Sequence, residues 1–121
     1  MFTAIAYGLA IALNLLCLLI GARFLFQPVA AAAGYGVPAG TDRAYLTIKG
    51  MRDGTYGVAG LALLAFAGPH PAAWLMLVAA VLPLGDTLIV LRNGGTRATA
   101  FGVHFATAVL VLISAALLFA V

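Results

Sequence analysis

The chain has 121 residues, of which 65% are hydrophobic and 7% charged, with a net charge of +3. Six Lys/Arg and three Asp/Glu cannot cover a soluble globule, whose surface would be one continuous apolar patch, so the composition points to lipid as solvent. A bilayer span takes about 20 apolar residues, which bounds the chain at four spans with short loops and leaves no length for a soluble domain.

The first uncharged run, Met1 to Ala22, lacks a positive leader and exceeds the apolar core of a signal peptide, so it reads as a span over about 4–26. Residues 27–44 follow as an interfacial or re-entrant segment. In it Pro28 is set to open a short helix, Val29 to Ala33 is too short to cross, and Gly34, Gly36, Pro38 and Gly40 are set to end it. The second uncharged run, Gly54 to Gly85, is long enough for a hairpin and is broken at Gly68-Pro69-His70-Pro71. Spans at about 45–67 and 72–91 result. Asn93-Gly94-Gly95-Thr96 makes a tight turn in which Thr96 can cap the last span, about 98–120. The fold class is all-α: one integral membrane domain, a four-helix up-down-up-down bundle.

Alternating the spans puts every charge on one side, including Arg23, Arg43, Lys49, Arg52, Arg92 and Arg97, while both termini lie on the other. The positive-inside rule makes the charged side cytoplasmic and both termini extracytoplasmic, in an inner or plasma membrane. Tyr35 and Tyr45 suit the inner interface and Trp74 and Tyr7 the outer one. Gly54, Gly57 and Gly60 recur on the second span, and Ala4, Gly8 and Ala12 on the first. Both stripes suit helix packing, within the chain or in a homodimer.

Some polar residues lie deeper than anchoring requires. Asp53 falls ~12 Å inside the second span, Asp86 ~9 Å inside the third and His104 ~10 Å inside the fourth. Asp86 has only Leu82, Pro83, Ile89 and Val90 at helical neighbour positions, so its partner must come from another span. Intramembrane ionisable groups pair, line water or serve a ligand. Lys49, Arg52, Asp53 and Tyr56 form one polar stripe in which Asp53 can pair with Lys49, and Arg52 with Asp86 is the inter-helix pair this pattern favours. Asp53, Asp86 and His104 are the candidate acid–base residues. Arg23, Lys49, Arg52, Tyr56 and Asn14 are the candidate ligand contacts, with structural roles for each pair as the competing explanation. The single Cys17, two His and three carboxylates predict no metal site; no cofactor motif is present, and the absence of a basic run excludes nucleic acid.

Gly21-Ala22-Arg23-Phe24, Pro28, Gly34-Tyr35-Gly36-Val37, Lys49-Gly50-Met51-Arg52-Asp53, Gly57 and Gly85-Asp86 occur in that order. This arrangement resembles a bacterial and fungal family of small four-span membrane proteins of unknown function, and its architecture is similar to that of the DoxX-like group. The resemblance implies a fold and no settled activity.

Two functions remain open. In one, a polar pocket in the cytoplasmic half of the bundle binds an amphiphilic or lipophilic small molecule, its head at Arg52 and Lys49. Asp53, Asp86 or His104 then supplies acid–base chemistry of an isomerase, cyclase or hydrolase type. In the other, the chain is a small transport or assembly subunit, dimeric through the glycine face, whose charges fix helices or relay protons.

Overall fold

A computed structural model describes residues 1–37 and 42–121. Pro38 and Gly40, which the sequence offers as helix terminators, lie outside the described residues. The described chain is helical: α1 (Phe2–Phe26), α2 (Pro28–Tyr35), α3 (Arg43–Phe66), α4 (Pro69–Ala79), α5 (Val81–Arg92), α6 (Arg97–Thr99), a π-helical turn (Ala100–Phe105) and α7 (Ala106–Phe119). Phe2–Phe26, Pro69–Arg92 and Arg97–Phe119 are each long and apolar enough to cross a membrane. α3 matches them in length at 24 residues, but its first half carries Arg43, Lys49, Arg52 and Asp53.

Burial is distributed as lipid demands. The residues withdrawn from the surface are mainly small, with Ala6, Ala10, Ala73, Ala100 and Ala108 fully buried, while Leu19 and Val78 stay 57% and 66% exposed. Lipid tails are as apolar as leucine, so large aliphatic side chains gain nothing by turning inward; close approach of backbones holds the helices instead. α1 and α3 run antiparallel through such a seam. A Cβ at Gly50 would stand 2.7 Å from the Gly21 carbonyl oxygen, and one at Gly57 would stand 2.6 Å from the Asn14 carbonyl oxygen. Gly50, Gly57 and Gly60 therefore face α1 and are not free for a second copy.

On α1 the packing stripe differs from the one the sequence suggests. Ala6, Ala10, Asn14 and Gly21 are buried, whereas Ala4, Gly8 and Ala12 are exposed, and a Cβ at Gly8 would touch nothing. The two small-residue stripes lie side by side on a helix that is apolar all round, and the positions of the neighbouring helices, α3 and α7, select between them.

The turn at Gly68, with φ +98°, leads into α4 three residues earlier than the prolines suggest. Pro69 and Pro71 occupy the first turn, where a helix has no amide donor to lose. The proline that matters is Pro83. It cannot donate to the Ala79 carbonyl, and the helix breaks between α4 and α5 at Ala80. In the last span Thr96 caps α6 by accepting from the Thr99 amide at 3.1 Å. The π-helical turn then carries one extra residue, which rotates the faces of α7 by about 100°.

α2 is bracketed by Pro28 at its first position and Gly36, left-handed at φ +96°, at its end. The Gly36 backbone packs closely on Val90 of α5 and Thr99 of α6. The tip of α2 is thereby wedged against the charged end of the other helices, with Tyr35 beside it.

Candidate functional site

Two apolar clusters leave a space between them. One joins Ala6, Ala10, Leu64, Ala72, Met76, Ala115 and Leu118 near the chain termini; the other joins Phe24, Ala31 and Ala32 near α2. Between them lies a cavity of about 320 Å³. Its wall is largely apolar, with Leu13, Ile20, Phe24, Leu82 and Val111, and its polar side chains include Asn14, Arg23, Asp53, Tyr56, Asp86 and His104. Cys17, Tyr35 and Thr107 complete the polar lining. The break at Ala80 and the π-helical turn flank it, so Pro83, Asp86, Val103 and His104 all reach the same space.

The hub of the polar end is Tyr35, which sequence reasoning treated as an interfacial aromatic. Its hydroxyl donates to Asp86 Oδ2. Its backbone carbonyl is 2.7 Å from His104 Nε2, and the two rings lie 4.2 Å apart. Its ring also stands 4.2 Å from Lys49 Nζ, which lies 4.6 Å from the Phe24 ring as well. Lys49 Nζ in turn pairs with Asp53 Oδ2 at 2.5 Å. The Cys17 thiol donates to the Asp53 backbone carbonyl at 3.1 Å. One residue of a short helix thus connects groups from α3, α5 and the π-helical turn.

Protonation is dictated by these contacts. A carbonyl only accepts, so His104 Nε2 carries a hydrogen, and in the neutral ring Nδ1 is left as an acceptor. Burial, and after it the Asp86 carboxylate, pushes the Tyr35 phenol well above its ordinary range, so Tyr35 remains a donor. Among the described residues Lys49–Asp53 is the one ion pair. Among them Asp86 is held by a neutral donor alone.

The favoured Arg52–Asp86 pair does not form. Arg52 is exposed and lines a separate groove with Met51, Thr55, Tyr56, Ala59 and Leu75. The reason is angular: Arg52 lies about 100° round α3 from Asp53, and it is Asp53 that faces the cavity. Lys49 is not among the cavity's lining residues, and its ammonium is already engaged by Asp53 and two rings. Asn14 lines the cavity, but its amide Nδ2 donates to the Ala10 carbonyl at 2.8 Å, one turn back. Asp53, Asp86, His104, Arg23 and Tyr56 share the space. Sequence spacing gave no signal for Tyr35, because its contacts depend on where α2 folds back.

The family described as Domain of unknown function (DUF4267) matches residues 14–118. The chain belongs to this family. No curated protein and no solved structure shows a significant match. The matched segment runs from Asn14 to Leu118 and takes in every residue of the polar network. With three helices long and apolar enough to cross a bilayer, the chain is a membrane protein of a family whose function is not assigned.

Proposed function

We propose that the cavity binds a lipophilic or amphiphilic small molecule within a four-span up-down bundle, with the polar head at Asp86, Tyr35 and His104 and the tail along the aliphatic wall. The observation that carries this reading is the partition of a single cavity into an apolar wall and a polar end where a carboxylate is held by a neutral donor only. A carboxylate in low dielectric that no cation pairs among the described residues favours a ligand that brings a hydrogen-bond donor or a proton. His104 Nδ1 supplies an acceptor and Asp86 with Tyr35 a proton-sharing pair, which suits acid–base chemistry of an isomerase, cyclase or hydrolase type. The likeness to the DoxX-like group is one of architecture and adds no activity to this reading.

Mass spectrometry of extracts from protein purified in mild detergent tests the binding. A lipophile retained by the parent should fall by about tenfold or more in Asp86→Asn, matching the loss of one charge-assisted contact, and stay at parental level in Arg97→Gln at the loop end. A parent that carries no lipophile above the level of bulk lipid rejects the reading.

In this bundle α3 is the second of four spans, its charged half at the cytoplasmic face and the chain termini outside. A reporter active only in the cytoplasm should stay silent when fused after Val121 and work when inserted after Asn93. The opposite pattern inverts the bundle.

A further inference from the structure

The groove that holds Arg52 and the cavity share two residues, Tyr56 of α3 and Leu75 of α4. These two side chains are therefore the wall between the interior space and the outer surface. We propose that this α3–α4 groove is a lateral entry site, through which an amphiphile dissolved in the bilayer passes Tyr56 and Leu75 into the cavity, its acceptor head meeting Arg52 on the way. The proposal rests on the binding reading above and on α3 crossing the membrane.

Depth decides the source of the ligand. Tyr56 stands ~20 Å along α3 from Arg43 and ~15 Å from Phe66, and Leu75 ~9 Å from Pro69. An opening at that level faces acyl chains in a hydrocarbon layer about 30 Å thick, not water. Chemistry decides the head. Arg52 forms no ion pair among the described residues, and the Thr55 hydroxyl beside it is spent on the Met51 carbonyl at 2.7 Å. The guanidinium is left facing a groove of about 450 Å³ whose other contributors, Met51, Ala59 and Leu75, are apolar. An exposed cation above an apolar trough fits a lipophile with a carboxylic-acid head, which meets Arg52 ionised, as an acceptor, and, once protonated, brings Asp86 a donor. Tyr56 is 40% exposed, so it belongs to the outer surface as much as to the cavity.

Cys17 is the sole cysteine and lines the cavity, which makes it an internal reporter of passage. In phosphatidylcholine proteoliposomes, pyrene maleimide, which partitions into the bilayer, should label Cys17 faster than a sulfonated, water-confined maleimide. Leu75→Ala should speed pyrene labelling and Leu75→Trp slow it, each by about tenfold; the smaller side chain keeps the test open where the larger one impairs folding. Leu110→Trp, at an exposed position on α7 that lines neither the cavity nor the groove, should leave the rate unchanged. Rates indifferent to Leu75, slowed as much by Leu110→Trp as by Leu75→Trp, or faster with the sulfonated reagent would overturn the lateral route. Oleate as an acceptor-headed probe should protect Cys17 in the parent and not in Arg52→Gln; equal or absent protection removes Arg52 from the entry site. Labelling kinetics report the route whether or not a lipophile co-purifies, so failure of the route and failure of the binding reading are separable.

Discussion

Replacing Tyr35 with phenylalanine should destabilise the protein in detergent by about 1–3 kcal/mol, at the upper end of the cost of an orphaned hydrogen-bonding group because the orphan is a carboxylate. The substitution keeps the ring, so the contacts with Lys49, Phe24 and His104 survive. Only the donor to Asp86 is lost, and no ion pair among the described residues takes its place. Asp86→Leu combined with Tyr35→Phe should recover most of the loss, since removing both partners of a half-buried polar pair leaves nothing unsatisfied. The double variant should still lack the retained lipophile, because the polar end of the cavity is gone. Thermal unfolding of the single and double variants, run beside the extraction assay, reads both effects. A Tyr35→Phe protein as stable as the parent would mean that Asp86 is solvated or partnered otherwise, and the hub role of Tyr35 would fall.

The second large effect concerns the α1–α3 seam. Gly57→Ala should cost about 1–3 kcal/mol, as overpacking does where a new methyl meets backbone that cannot rotate away. Its Cβ would stand 2.6 Å from the Asn14 carbonyl oxygen and 2.8 Å from the Leu18 amide. Gly8→Ala should do the reverse and stabilise by about 0.4–1 kcal/mol, since its Cβ meets nothing within 4 Å and a helical glycine carries needless freedom in the unfolded chain. The two substitutions are chemically identical, so a difference in sign between their melting temperatures isolates the packing. Gly57→Ala that is neutral or stabilising would show that α1 and α3 stand further apart than the seam requires.

The parts of this protein legible in its sequence are those set by local chemistry. The apolar runs, the Pro28 and Gly36 brackets of α2, the Gly94-Gly95 turn and the Thr96 cap depend on residues within a few positions of one another. The height of Asp53, Asp86 and His104 along their helices has the same source, because rise along a helix is fixed at about 1.5 Å per residue. Azimuth is not so determined. Which of two small-residue stripes on α1 meets α3 depends on the neighbour, as does which way Arg52 turns. An all-apolar helix carries no face preference of its own.

Of two backbone irregularities, one has a sequence signal and the other has none. Pro83 breaks the third long helix, while the more conspicuous Pro69 and Pro71 sit harmlessly in a first turn. The π-helical turn at Ala100–Phe105 has no composition signal, yet it carries His104 to the Tyr35 carbonyl. Tyr35 itself could not be assigned from spacing. Its four partners lie on other elements, and only the folding of α2 back against Val90 and Thr99 brings its ring and hydroxyl to them. The sequence by itself determined that this chain lives in a membrane and how far along each helix its charges fall. Tertiary structure alone decided which of those charges share a space, because a helix fixes height along its axis and leaves rotation to whatever packs beside it.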